Sequence, residues 1–186
     1  MHFSYRFSRA SSSDFASLRK DFADLKIDEN NVKEFVSNCI TCQYRINLDN
    51  SVKIFKTHNA FWKADNHAFT NEDNTQGVIH IVRDPRNVIT SLKNHYQLDN
   101  DQAFSWITNE KNYIYNILDF ENSGYGDFQF ISSWSVNYKS WNVQKKIPIK
   151  IIKYEDLLNY TYVVFTDIIK FIYKFKYFCK NYISII

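Results

Sequence analysis

Glycine, proline and cysteine are scarce in this sequence. Its 186 residues include 3 Gly, 2 Pro and 3 Cys, whereas glycine and proline average about 7% and 5% of the residues in proteins. Three cysteines exclude a disulfide framework. Cys39 and Cys42 form a Cys-x-x-Cys motif, but no second such motif and no histidine pair follows it at the spacing of a zinc finger. We expect two half-buried thiols in a helix. A zinc or redox site at this pair is the alternative.

Long uncharged hydrophobic runs are absent as well. A membrane-spanning helix needs roughly 20 mostly uncharged residues, and charged side chains interrupt the apolar segment 163–186 throughout. Ile168, Ile169, Ile172 and Phe175 recur there at helical spacing, which predicts an amphipathic helix facing the core. A basic helix on a membrane surface is the alternative. Because no apolar leader opens the sequence, we expect a cytoplasmic protein, with a transit peptide as the second interpretation of the first thirteen residues.

The charge balance argues against nucleic-acid binding. The formal net charge is only +3, and the aromatic residues, 18% of the chain, lie in apolar runs rather than along a basic stripe. With 45% hydrophobic residues, the chain can bury a core of its own, which excludes intrinsic disorder. The length is typical of one domain, so we treat residues 1–186 as a single domain.

Strand and helix patterns alternate along the chain. The apolar, β-branched run 77–82 is the clearest strand and is typical of a parallel strand buried on both faces. Pro85 ends that strand, and Asp84 can cap a helix over 87–96. Further strands are predicted at 51–56 and 147–154, a loop at 66–76, and helices within 14–35, over 101–120 and from near Ser133. This alternation indicates an α/β fold with a mainly parallel sheet flanked by helices.

The strand over 77–82 ends in an arginine. Arg83 follows its last apolar residue, and Ser91 lies eight residues later in the predicted helix. Ligands of open α/β sheets bind outside the carboxyl ends of strands, where a guanidinium fork and a hydroxyl suit a phosphate. These residues therefore predict an anion site. The alternative is that Arg83 pairs with Asp84 or a neighbouring helix and that Ser91 only packs.

A second strand end carries Lys56, Thr57 and His58. In an extended chain, Lys56 and His58 project to the same face. The ammonium group can stabilise developing negative charge, and its proximity keeps the imidazole neutral, as a general base requires. A solvated loop without chemistry is the alternative.

Aromatic residues mark the segment before the last predicted strand. Trp134, Tyr138 and Trp141 recur at helical spacing, and we expect them mainly in the core, with stacking on an adenine ring as the alternative. Glu155 and Asp156 follow the strand over 147–154. We expect them to cap the next helix and to interact with its dipole.

Taken in chain order, the four segments 56–58, 83–91, 134–141 and 154–157 resemble the family of sulfotransferases that use 3′-phosphoadenosine 5′-phosphosulfate. The family pattern is a Lys-Thr-His strand end, an Arg-x-Pro-Arg-Asp-like strand end with a serine eight residues after its first arginine, a Trp-rich helix and a Tyr-Glu-Asp-Leu strand end. The resemblance covers roughly residues 47–172, and segments 1–46 and 173–186 match poorly. It implies a sulfotransferase-like α/β fold of the P-loop NTPase type.

The resemblance also implies roles for four residues. Arg83 and Ser91 match the residues that hold the 3′-phosphate of the co-substrate, His58 matches the base that takes the proton of the acceptor, and Lys56 matches a lysine that supports the sulfuryl group. The acceptor would be a small molecule or glycan with a hydroxyl or amine. No metal is implied, because positioning and cationic groups stabilise the dispersed negative charge of such a transfer.

Two family segments have no counterpart in the sequence. One is the first strand with its phosphosulfate loop, Tyr-Pro-Lys-Ser-Gly-x-Thr-Trp, and the other is a basic loop, Arg-Lys-Gly-x-x-Gly; the three glycines are at 77, 124 and 126. Because loss of one oxyanion-type donor costs on the order of 10²- to 10³-fold in rate, we expect little turnover. Without the first strand, one position of the sheet should be left exposed. We therefore expect a fragment or a degenerate copy. A non-catalytic module that binds adenosine 3′,5′-bisphosphate or a partner protein is the second interpretation.

Overall fold

The computed structural model describes residues 31–46, 48, 54–115, 128–175 and 182–185. Within these ranges the chain forms six α-helices and eight strands. In order they are α1 (Val32–Ile46), β1 (Ile54–Lys56), β2 (Lys63–Ala64), β3 (His67–Ala68), β4 (Thr75–Val82), α2 (Pro85–Tyr96), α3 (Asn100–Thr108), β5 (Tyr113–Ile114), β6 (Gln129–Phe130), α4 (Trp134–Val143), β7 (Ile149–Lys153), α5 (Tyr154–Asn159), α6 (Thr161–Tyr173) and β8 (Tyr182–Ile185). Of the two short helices predicted within 14–35, with a break near 28–31, the first lies outside the described residues, and the second coincides with the start of α1, which continues to Ile46.

Four strands form one parallel sheet in the order β1-β8-β4-β7. The predicted α/β class with a parallel sheet is therefore confirmed. Two short antiparallel pairs, β2 with β3 and β5 with β6, accompany it. The sequence predicted an exposed sheet position. Across the described strands, however, the sheet is continuous, and β8 occupies an interior position between β1 and β4.

The central strand β4 is buried on both faces. On one face Ile79 packs with Ile152 and Phe171, and on the other Val78 packs with Trp141 and Ile147. Because successive side chains of a strand point to opposite faces, adjacent apolar residues of β4, such as Val78 and Ile79, supply both layers. Burial of each such side chain contributes about 1.5 to 3 kcal/mol, so this strand organises the core.

Capping fixes the start of the helix that follows β4. The carboxylate of Asp84 accepts a hydrogen bond from the Arg86 backbone N–H at 2.9 Å, and Pro85 occupies the first helical turn. Asn, Asp, Ser and Thr are favoured at this position because their side chains satisfy amides that the helix leaves unpaired. The predicted cap at Asp84 is confirmed, and α2 begins two residues earlier than the pattern alone indicated.

Three other boundaries differ from the sequence predictions. The helix predicted over 101–120 ends at Thr108, because Asn112 accepts backbone hydrogen bonds from Ile131 and Ser132 and Tyr113–Ile114 pairs with Gln129–Phe130. The predicted loop 66–76 contains β3 and the first residues of β4. The strand predicted over 147–154 stops at Lys153. In the first case, pairing with residues distant in sequence outweighs the local pattern, whereas β3 pairs with the nearby β2.

The tail contains a helix and then a strand. Helix α6 ends at Tyr173, and Tyr182–Ile185 forms β8. Ile168, Ile172 and Phe175 pack against the core as predicted, whereas the prediction for Ile169 is wrong, since half of its surface is exposed. None of the helices in the described ranges is long and apolar enough to cross a membrane.

The Cys-x-x-Cys motif lies on α1, as predicted. Both thiols are buried in a cluster with Phe35 and Val36, so the prediction of half-buried thiols understated their burial. Burial, with a smaller contribution from Cys42, raises the pKa of Cys39 to about 12. Across the residues that the structure describes, no cluster of His, Cys, Asp and Glu side chains is placed to hold a metal ion.

Candidate functional site

The last residue of β1, Lys56, and the turn after it, with His58, are exposed to solvent. Both side chains are exposed and Thr57 between them is buried, which is the alternation that an extended chain predicts. The Thr57 hydroxyl accepts hydrogen bonds from the backbone N–H of Asn59 at 3.1 Å and from its side-chain amide at 3.0 Å. These two bonds fix the backbone that carries the His58 ring.

Side chains from β6 and α4 hold the same turn. The Gln129 Oε1 atom accepts a hydrogen bond from the His58 backbone N–H at 2.7 Å, and the Asn137 side-chain amide donates to the His58 carbonyl at 3.1 Å. The indole N–H of Trp141 donates to the Asn59 carbonyl at 2.9 Å. The turn is therefore anchored at its backbone. In the described part of the chain, the His58 ring nitrogens have no hydrogen-bond partner.

The electrostatics of this turn favour a neutral imidazole. Partial burial of the ring, followed by the Lys56 ammonium, lowers the pKa of His58 below its ordinary value of 6.5. The predicted effect of Lys56 is confirmed in direction, although burial contributes more. A neutral ring with an unpaired nitrogen at the surface can accept a proton at neutral pH.

Arg83 lies immediately after β4, at the carboxyl end of the sheet. Its Cζ atom is 4.8 Å from the centroid of the Tyr154 ring, within the range of a cation–π interaction. The Nε atom is buried and has no hydrogen-bond partner in the described structure. Leaving a buried donor unpaired costs about 1 to 3 kcal/mol, so this N–H is an unmet hydrogen-bond donor at the end of the strand.

The neighbouring carboxylate belongs to another arginine. Arg86 donates to both carboxylate oxygens of Asp84, with Nη2 to Oδ2 at 2.6 Å and Nε to Oδ1 at 3.0 Å. This side-chain hydrogen bond is the main reason that the pKa of Asp84 falls to about 2. Arg83 therefore does not pair with Asp84, because Arg86 takes the carboxylate. The other half of that alternative, contact with a neighbouring helix, is what the structure has, since Tyr154 is the first residue of α5.

Ser91 is exposed on the second turn of α2. At a rise of 1.5 Å per residue, it lies about 9 Å along the helix axis from Pro85. Its hydroxyl has no hydrogen-bond partner within the described ranges. The structure thus places Arg83 and Ser91 on one strand-to-helix unit, and Lys56 and His58 on another strand end of the same sheet.

Glu155 ties the ends of β4 and β7 together. Its Oε1 atom accepts hydrogen bonds from the Asp84 backbone N–H at 3.3 Å and from the Asn87 side chain at 3.4 Å. These contacts accompany a lowered pKa of Glu155, for which its own backbone N–H is the largest cause. Glu155 lies in the first turn of α5, as expected for a dipole partner, but no side chain caps this helix.

The aromatic stripe of α4 divides between two environments. Trp141 is fully buried in the cluster with Val78 and Ile147, so the predicted core role is confirmed for it. Trp134 and Tyr138 are half-buried and stacked, with ring centroids 5.8 Å apart and 15° between their planes. Tyr138 also lies 6.0 Å from the ring of His80.

The sequence patterns gave no role to His80, which is buried on β4 with its Nδ1 atom unpaired among the described residues. Burial lowers the pKa of His80 to about 4. The sequence patterns also missed Gln129, Asn137 and Tyr154 as positioning residues. Tyr154 stands within the Tyr-Glu-Asp-Leu segment, but its contact with Arg83 exists only because β4 and β7 are neighbours.

Comparison with protein-family models identifies a sulfotransferase domain over residues 13–175. This range covers most of the chain, so the protein belongs to the sulfotransferase domain family. Comparisons with curated proteins and with solved structures gave no match.

Proposed function

We propose that this chain binds 3′-phosphoadenosine 5′-phosphosulfate and that Arg83 and Ser91 hold its 3′-phosphate. The observation that carries the proposal is the buried, unpaired Nε–H of Arg83, next to a carboxylate that Arg86 already occupies. An arginine that stacks on an aromatic ring keeps its guanidinium plane fixed, and that plane matches phosphate oxygens in a two-pronged hydrogen bond. The exposed hydroxyl of Ser91 adds a neutral donor.

Lys56 and His58 supply the chemistry of transfer in this proposal. When bound, the phosphosulfate provides an activated sulfuryl group for an acceptor hydroxyl or amine. A bond forms between the acceptor atom and sulfur, the bond from sulfur to the phosphate oxygen breaks, and the acceptor proton passes to a ring nitrogen of His58. The Lys56 ammonium stabilises negative charge on the sulfuryl oxygens.

The sheet register supports two separate subsites. Lys56 is opposite Ile185 on β8, which is opposite Ile79 on β4. Lys56 is therefore displaced from β4 by two strand spacings, about 10 Å, and lies level with a residue four positions before Arg83, about 13 Å along the strand. One small anion does not require such a spacing. An elongated ligand with charge at both ends, such as a nucleoside bisphosphate, does.

Calorimetry with adenosine 3′,5′-bisphosphate tests the proposal on the purified chain. The Arg83→Gln variant should bind this nucleotide about 10- to 100-fold more weakly, because a charge-assisted hydrogen bond is worth about 1.5 to 3 kcal/mol. Arg86→Gln is the matched control, since it removes an arginine from the same turn that already has a carboxylate partner. Equal losses in the two variants, or no binding by the wild-type chain, would contradict the assignment.

A second arm separates binding from transfer. Adenosine 5′-monophosphate lacks the 3′-phosphate, so its affinity should respond little to Arg83→Gln. With the phosphosulfate donor and a panel of phenol, amine and sugar acceptors, His58→Ala should abolish product formation and leave nucleotide binding intact. Nucleotide binding without transfer to any acceptor would instead favour the non-catalytic module.

A further inference from the structure

Strand β8 is the link between the two halves of the candidate site. Strand β1, which ends at Lys56, pairs in parallel with β8, and β8 pairs in parallel with β4, which precedes Arg83. Among the described strands, β1 has no other partner in the sheet. The segment Tyr182–Ile185 is remote in sequence from both strands, yet it lies between them.

The pairing on both edges of β8 sets a common register. Ile183 is opposite Ile54 on one side and Gly77 on the other, and Ile185 is opposite Lys56 and Ile79. The longitudinal offset between Lys56 and Arg83 is therefore fixed through β8 rather than by direct contact of β1 with β4. A slip of one residue would shift Lys56 by about 3.3 Å along the sheet and reverse the face of every side chain in β1.

Ile54 of β1 also packs against the cluster of Ile79, Ile152 and Phe171, and three hydrogen bonds hold the turn that follows β1. Gln129 and Asn137 bind the backbone of His58, and Trp141 binds that of Asn59. All three act on the turn after β1. The three residues of β1 itself, Ile54–Lys56, depend on β8 for their sheet hydrogen bonds.

We propose that Tyr182–Ile185 is a clasp that sets the position of Lys56 relative to Arg83. Only the functional consequence of the clasp, the alignment of the two subsites, rests on the proposed function. Its structural content, that β1 stays in the sheet because β8 pairs with it, stands independently of any ligand. Release of the clasp removes the hydrogen bonds that hold β1 in register with the sheet and leaves both the Arg83 loop and the β4–β7 pairing in place.

Proline substitution tests the clasp in the full-length chain. Proline lacks the N–H that a strand donates to its neighbour, so it is not tolerated within an interior strand. In the double variant Ile183→Pro, Ser184→Pro, the backbone amides of 54–56 should exchange hydrogen for deuterium about tenfold faster or more, while those of β7 keep their protection. The double variant Ile183→Ala, Ser184→Ala keeps both backbone N–H groups, so it is the matched control and should leave exchange in β1 unchanged.

A peptide in trans covers the case in which the double variant fails to fold. The chain without residues 182–186 is refolded with and without a synthetic peptide that carries residues 178–186. Recovery of helical circular dichroism and of slow exchange in β1 with the peptide supports the clasp. Wild-type exchange in β1 without β8, or a chain that stays unfolded at saturating peptide, overturns it.

Nucleotide binding distinguishes failure of the clasp from failure of the proposed function. With the double proline variant folded, adenosine 3′-monophosphate, whose one phosphate uses only the Arg83 and Ser91 subsite, should bind within about threefold of wild type, because those two residues keep their positions. Loss of nucleotide binding in wild type defeats the proposed function and leaves the exchange result untouched. Unchanged exchange in β1 defeats the clasp, whatever the nucleotide does.

Discussion

The guanidinium of Arg83 lies over the ring of Tyr154, with 4.8 Å between Cζ and the ring centroid. Arg83 ends β4, Tyr154 begins α5 after β7, and the two strands are neighbours in the sheet. The contact orients the guanidinium without neutralising it. Because Asp84 is already paired with Arg86, the positive charge of Arg83 remains available to an anion.

Removal of the Tyr154 ring should weaken phosphate binding. Tyr154→Leu should lower the affinity for adenosine 3′,5′-bisphosphate about threefold to tenfold, since a cation–π contact contributes about 0.5 to 2 kcal/mol. Tyr154→Phe keeps the ring and should bind like wild type. Calorimetry on the two variants gives the comparison, and an equal effect of both would mean that the hydroxyl, not the ring face, supports Arg83.

Loss of the Lys56 charge should raise the pKa of His58. The ammonium is one cause of the lowered value, so Lys56→Gln should move the titration of the His58 ring upward, toward 6.5. Proton NMR of the ring C–H signals across pH 4.5 to 8 measures the change. Lys63→Gln, a neutralisation in β2, is the control, and an equal shift in that variant would argue against a specific effect of Lys56.

The buried ring of His80 should make the fold sensitive to acid. Its pKa is about 4 in the folded chain and near 6.5 when unfolded, so the unfolded chain takes up the proton first as the pH falls. The stability associated with the neutral ring is complete above pH 6.5, declines between 6.5 and 4, and reaches a loss of about 2 kcal/mol at pH 5.

Urea unfolding at pH 7.5 and pH 5 checks the contribution of His80. His80→Phe removes the titrating group and should reduce the loss between the two pH values by about 2 kcal/mol. His95 is exposed, so His95→Phe is the matched substitution and should preserve the wild-type difference. If His80→Phe loses as much stability as wild type on acidification, another group controls the acid response.

Trp141 should be the most sensitive aromatic residue of α4. It is fully buried and donates its indole N–H to the Asn59 carbonyl. Trp141→Phe removes that donor and leaves a buried carbonyl unpaired, which should destabilise the fold by about 1 to 3 kcal/mol. Urea unfolding gives the free energy, and Trp134→Phe, at a half-buried ring, should cost less. A larger loss at Trp134 would reverse the assignment of core and surface aromatics.

The sequence predicted the parallel β4 strand and the residues at its end from local chemistry. A β-branched run suits a strand buried on both faces, and Asp84 before Pro85 satisfies amides at the start of a helix. The candidate residues Arg83 and Ser91, and Lys56 and His58, follow from the same rule, that charged groups at the carboxyl ends of parallel strands face a ligand. Their assignment to sulfuryl transfer remains a prediction.

Only the tertiary structure decided which partners these residues have. Arg86, rather than Arg83, pairs with Asp84 because the start of α2 brings these two side chains together. Tyr154 covers Arg83 because β4 and β7 are neighbours in the sheet. The sequence alone does not distinguish the two arginines, which are chemically equivalent. The tail reads as continuous helix from its apolar spacing, yet Tyr182–Ile185 forms an interior strand. Hydrogen bonds on both of its edges outweigh helical periodicity, and no local pattern encodes them, since both partner strands lie more than one hundred residues earlier in the chain.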